Sequence, residues 1–145
     1  MKPVNIYKCK QNDATLVQLN CNEVTFDGLE ALDTDTASGD PEKHVPVLEF
    51  SGDTLHVKVG KAPHPMTPQH YIEWILVKTE DGGLYRTNTP DGLPEALFSL
   101  NQEKVVEVYA YCNIHGLWKA EQTDSDRDLE KIVCSAEFSD TCIDT

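Results

Sequence analysis

The feature that most constrains this chain is a succession of short runs in which apolar and polar residues alternate, each closed by a turn signal. The runs are VPVLEF (45–50), TLHVKVG (54–60), HYIEWILVKTE (70–80), LYRTNT (84–89), EALFSL (95–100) and VVEVYAYC (105–112), with SGD, EDGG and PDGLP between them. A period of two puts alternate side chains on opposite faces of a strand, and Gly, Pro and Asp clusters end it. Parallel strands need crossovers of about a dozen residues or more, longer than most of these connections allow. No long amphipathic helix separates the runs. The expectation is therefore an all-β chain folded as an antiparallel sandwich or barrel.

A chain of 145 residues with 39% hydrophobic content can bury one main core. Residues 1–40 differ in texture and end in the loop-like LDTDTASGDP, which reads as a linker from a small N-terminal piece to a main body over 41–120. Residues 121–145 form an acidic extension in which IVCSAEF could add a strand. The start MKPVNIYKCKQND turns polar before any apolar run forms, and no stretch reaches the roughly 20 apolar residues of a membrane span, so a soluble cytoplasmic protein is expected. A net charge of −13, with 12 basic residues scattered among 25 acidic ones, argues against a nucleic-acid partner. Five cysteines without an export signal favour metal or redox chemistry over a disulfide framework.

Alternation also selects which histidines face inward. In VVEVYAYC, Val106, Val108, Ala110 and Cys112 share a face; in HYIEWIL, His70 shares one with Ile72, Trp74 and Leu76. His56 instead lies with Lys58, opposite Leu55, Val57 and Val59, and reads as solvent-facing. His44, His64, His70 and His115 all fall at strand ends or in turns, where rigid sheets place functional groups. CNIHG lets one thiolate and one imidazole from a single turn reach the same ion. Pro65 and Pro68 restrict the loop HPMTPQH and lower the entropy cost of holding its two rings. Any one of these histidines alone is more commonly an ordinary hydrogen-bonded residue. Together with an inward cysteine, four of them make a metal site the better reading. Structural zinc sites close at four ligands, usually with more thiolate, whereas four imidazoles and one thiolate suit iron and can leave a sixth position open.

The motifs EKHVP (42–46), HPMTPQHYIEWI (64–75) and YCNIHGLWKA (111–120), joined by VKVGKAPHPM, resemble the superoxide reductase family, the iron-centre domain of neelaredoxin and desulfoferrodoxin. The resemblance implies an immunoglobulin-like seven-stranded β-sandwich. It also implies one mononuclear iron with His44, His64, His70 and His115 as equatorial ligands and Cys112 as the axial one. The implied reaction is one-electron reduction of superoxide to hydrogen peroxide, with electrons from a small carrier such as rubredoxin; homodimers or homotetramers are implied too. An axial thiolate pushes electron density toward iron. By the same resemblance Lys43 attracts superoxide and Glu42 can occupy the sixth position of ferric iron, although most adjacent Glu and Lys residues form only solvated pairs. Tyr111 and Trp118 flank the CNIH turn, where they could shield the thiolate or hydrogen-bond nearby, although core packing is the commoner role of such residues.

The first segment departs from the desulfoferrodoxin pattern, whose N-terminal rubredoxin-like module binds iron through four cysteines. Here Cys9 and Cys21 remain, but Asn12 and Asn22 stand where the other two belong, so a degenerate module without iron of its own is expected. Cys134 and Cys142 lie beyond the resemblance, as partly buried thiols, a labile disulfide or, least favoured, half of a second all-thiolate site with Cys9 and Cys21. Two other classes compete with the reductase. One is an iron-binding carrier or storage module using the same five ligands; the other is an immunoglobulin-like interaction domain with incidental histidines.

Overall fold

The structure, a computed structural model, describes residues 4–20, 22–24 and 26–121. Cys21, Cys134, Cys142 and the extension beyond residue 121 lie outside those residues. The chain divides into two compact units, with the boundary between Asp33 and Thr34. This is seven residues before the boundary expected from the sequence.

The N-terminal unit is a three-stranded antiparallel sheet of β1 (Ile6–Cys9), β2 (Thr15–Val17) and β3 (Leu29–Ala31), in the order β2-β1-β3. Strands of three or four residues carry too little alternation to be read from sequence, and they were not expected. The turn after Cys9 closes through backbone bonds, Cys9 N–H to the Ala14 carbonyl at 2.7 Å and Asp13 N–H to the Cys9 carbonyl at 3.0 Å. Asn12 Oδ1 accepts from Ala14 N–H at 3.1 Å. Where a metal-binding knuckle would need a second thiolate, this chain uses an amide to form an Asx-type turn.

The second unit holds seven strands in two antiparallel sheets. β4 (Pro46–Ser51), β5 (Thr54–Val59) and β8 (Glu95–Ser99) form one, in the order β4-β5-β8; β6 (Ile72–Thr79), β7 (Gly83–Thr87), β9 (Val105–Cys112) and β10 (Gly116–Glu121) form the other, in the order β10-β9-β6-β7. Leu55, Val57, Val59 and Phe98 from the first sheet pack in one cluster with Ile72, Ile75, Val77, Val108, Ala110 and Cys112 from the second. This all-β arrangement is the seven-stranded sandwich expected. GLWKAE forms the seventh strand, which alternation did not reveal. Among the described residues no helix is long and apolar enough to cross a membrane.

Two bulges correct the face assignments. Along β6, Ile72 pairs with Cys112 but Trp74 pairs with Tyr111, leaving Glu73 as an extra residue; farther on, Lys78 pairs with Glu107 but Thr79 with Val105, leaving Val106 extra on β9. Each extra residue inverts the facing of all that follows on its strand. The core face of β6 therefore runs Ile72, Ile75, Val77, not through Trp74 and Leu76, and Val105 rather than Val106 is fully buried. Trp74 stacks on Tyr111 instead, at 5.5 Å and 9°. The expectation for β5 holds: Leu55, Val57 and Val59 are buried, while His56 Nε2 lies 2.8 Å from the Glu95 carboxylate on the other face.

Candidate metal centre

Five side chains converge at one end of the sandwich, carried by three local devices. His44 ends the single turn of helix α1 (Pro41–His44), which begins with proline at its first position and is capped by Asp40, whose carboxylate accepts from Glu42 N–H at 3.0 Å. Gly60 lets this turn dock, because a Cβ there would lie 2.5 Å from the Glu42 carbonyl oxygen. Ala62 N–H then donates to that same carbonyl at 3.0 Å.

The loop HPMTPQH supplies two rings. His64 follows the end of β5 and is held by its N–H donating to the Val59 carbonyl at 3.0 Å. Thr67 to His70 form a closed turn, with His70 N–H donating to the Thr67 carbonyl at 3.1 Å and Thr67 N–H to the His70 carbonyl at 3.0 Å. Pro68 occupies the second position of this turn, where its fixed φ is favourable. His70 thus precedes β6 rather than belonging to it.

Cys112 is the last residue of β9 and fully buried, and Asn113, Ile114 and His115 span from it to its hairpin partner Gly116. Gly116 has φ of +93°, a conformation that favours glycine. His115 N–H donates to Cys112 Sγ at 3.4 Å.

The resulting geometry is a closed cycle of imidazoles. Neighbouring ring centroids are 4.7 Å apart for His44 and His64, 4.6 Å for His64 and His70, 4.9 Å for His70 and His115, and 4.8 Å for His115 and His44, each pair edge-on. One ring nitrogen from each histidine and Cys112 Sγ all lie within 4.8 Å of one another. The remaining nitrogens explain the orientation: His44 Nδ1 is 2.8 Å from the Asp40 carbonyl and His64 Nδ1 2.6 Å from the Pro65 carbonyl, as donors, which turns their Nε2 lone pairs into the cluster. His115 faces inward through Nδ1, 3.1 Å from His44 Nε2 and 3.7 Å from the sulfur.

Electrostatics disfavour protonation of His44, His64 and His70. Burial lowers the pKa of His64 to about 4, against the opposing bond to the Pro65 carbonyl, and the other imidazoles lower it further. Burial also lowers His44 and His70; the charges of His115 and Lys43 add to the effect on His70. Burial raises the Cys112 thiol, while the N–H groups of His115 and Ile114 favour its thiolate. The cluster therefore presents lone pairs and a proton that a cation can displace.

The fit to a metal rests on two atoms. His64 Nε2 and His70 Nε2 are buried and have no hydrogen-bond partner among the described residues. An unpaired buried polar atom costs roughly 1–3 kcal/mol, so two aimed at one point are explained by a cation between them. The structure brings together all five predicted ligands. Lys43 and Glu42 are exposed on α1 beside them, and the Lys43 charge reaches His70.

The contacts of three contributors were not anticipated. The segment read as a linker packs on the centre: Ser38 N–H donates to the His115 carbonyl at 3.0 Å, and a Cβ on Gly39 would lie 3.0 Å from both the His115 and His44 rings. Trp118 stacks on His44 at 4.8 Å and 20°. Asn113 bonds across to the loop carrying His70. No alternation or spacing marks residues that act by close approach or through backbone carbonyls; Gly39, in SGDP, carried a signal only as a turn residue, and Trp118 only as a flank of the CNIH turn.

The family model described as Desulfoferrodoxin matches residues 36–121. The chain is 38% identical over 122 residues to a desulfoferrodoxin homolog of Archaeoglobus fulgidus, covering 81% of this chain and 96% of that protein. It is 42% identical over 100 residues to a superoxide reductase of Thermococcus kodakarensis, covering 57% of this chain and 87% of that one. The crystal structure of the superoxide reductase from Treponema pallidum superposes with a TM-score of 0.69 at 33% identity, over 83% of this chain and all of the other.

Proposed function

The chain belongs to the desulfoferrodoxin family, and from that membership we propose a superoxide reductase that converts superoxide, one electron and two protons into hydrogen peroxide. The observation that carries this reading is the closed cycle of four imidazoles around two unpartnered nitrogens, with a buried thiol beside it. We assign His44, His64, His70, His115 and Cys112 as ligands of one iron per chain. Iron held there would supply the electron by alternating between its ferrous and ferric states.

The protein's own part is to hold, attract and exclude. Neutral imidazoles leave only the Cys112 thiolate to offset the charge of a bound cation, so the site stays positive overall, which favours an anionic substrate. Cys112 sits on the core face of β9, away from solvent, so its sulfur is protected from oxidation by the sandwich itself. Lys43 draws superoxide toward the exposed side of the rings. Glu42 is the carboxylate assigned to close that side when no substrate is present. A lysine about 4 Å from an anion is worth roughly 4 kcal/mol of bare attraction at an effective dielectric of about 20, and solvent reduces this. A small one-electron carrier such as a rubredoxin would renew the reduced state, in the cytoplasm.

Product stoichiometry tests the reaction. With excess reductant, a reductase yields one hydrogen peroxide per superoxide consumed and no dioxygen. Dioxygen release with half as much peroxide would make the protein a dismutase, and failure to consume superoxide catalytically would leave a carrier or storage module.

A further inference from the structure

We infer that Asn113 is the positioning residue for His70, fastening the loop that carries this ring to the turn that carries Cys112 and His115. The inference rests on the metal centre proposed above. His44 and His64 each have a ring nitrogen donating to a nearby carbonyl. No such bond orients His70, whose Nε2 is buried without a hydrogen-bond partner among the described residues. It also lies outside β6, in a turn whose internal hydrogen bonds run between Thr67 and His70. Such a turn fixes its own shape but not its place relative to the other ligands.

Asn113 supplies that place. Its Oδ1 accepts from Tyr71 N–H at 3.0 Å, its Nδ2 donates to the Gln69 carbonyl at 3.0 Å, and its own N–H donates to the Tyr71 carbonyl at 3.3 Å. These bonds grip the backbone on both sides of His70 from a residue directly after Cys112. Only a carboxamide offers an acceptor and a donor side by side at this reach; aspartate keeps the acceptor alone, and alanine neither. The turn's remaining contacts hold it closed without Asn113, so losing the amide should loosen where His70 stands more than whether the chain folds.

The test uses the full chain, freed of metal and titrated with cobalt(II), which reports coordination through its visible spectrum without redox chemistry. Outer partners of metal ligands typically contribute about 10–100-fold in affinity. Asn113→Ala is expected to weaken cobalt binding by about tenfold or more and to shift the spectrum toward that of His70→Ala. The double variant should bind no more weakly than His70→Ala alone, because Asn113 acts through that ring. Asn113→Asp should fall between wild type and alanine, and it carries the test if the alanine variant fails to fold. Independent, multiplicative losses in the double variant, or an unchanged affinity and spectrum in Asn113→Asp, would overturn the inference while the centre stood. Wild-type protein that does not bind cobalt would overturn both.

Discussion

Gly39 shows how much of this centre depends on an absent side chain. Its φ of +108° disfavours any other residue, and a methyl group there would press on the His115 and His44 rings at 3.0 Å. The strap it belongs to also contributes the Asp40 carbonyl that orients His44 and the Ser38 N–H that holds His115. Gly39→Ala is therefore expected to weaken metal binding by about tenfold, the scale set by other partners of metal ligands, while the sandwich remains folded. Metal affinity and circular dichroism measured on the same sample would check this; undiminished affinity would mean that the strap merely lies over the rings. The ligands themselves were legible because chemistry limits which residues can serve. Gly39, Asn113 and Trp118 were not, since each works through a contact that exists only once distant segments meet.

At the scale of the strand, alternation found six of the seven strands of the sandwich and failed where the pairing slips. A bulge adds one residue without altering composition, so nothing in HYIEWILVKTE marks Glu73 as the extra one. His70 reached the centre for a reason other than the one alternation suggested: the turn Thr67 to His70 places it, before the strand begins. The corrected phase has an energetic consequence at Ile75, fully buried in the shared core instead of on the opposite face. Truncating a buried isoleucine to alanine costs about 2–5 kcal/mol. Ile75→Ala should lower unfolding free energy by that amount in a denaturant titration of the metal-free protein. A loss under about 1 kcal/mol would return Ile75 to the outer face and the strand to unbroken alternation.

For the molecule as a whole, the main difficulty is charge. A chain with net charge −13 should repel superoxide, yet at physiological salt fields fade over about 8 Å, and only groups near the rings act on an arriving anion. If Lys43 governs capture, the second-order rate constant falls as salt is added, and Lys43→Ala both slows the reaction, by about tenfold, and flattens that dependence while metal is retained. Pulse radiolysis across ionic strengths measures this; a rate that rises with salt would mean that net charge dominates and Lys43 does not steer. The domain plan was legible only in outline, because the composition of LDTDTASGDP is that of a linker although its backbone packs on the centre. The small N-terminal sheet likewise announced itself by its missing cysteines, not by its strands.

The most direct test of the central claim is metal analysis of the purified protein together with the visible spectrum of its oxidised form, repeated for Cys112→Ser. The five-ligand centre predicts about one iron per chain and a thiolate-to-iron absorption band that disappears in the variant. Protein that takes up no ferrous iron under anaerobic conditions, or a band that survives the loss of Cys112, would contradict it.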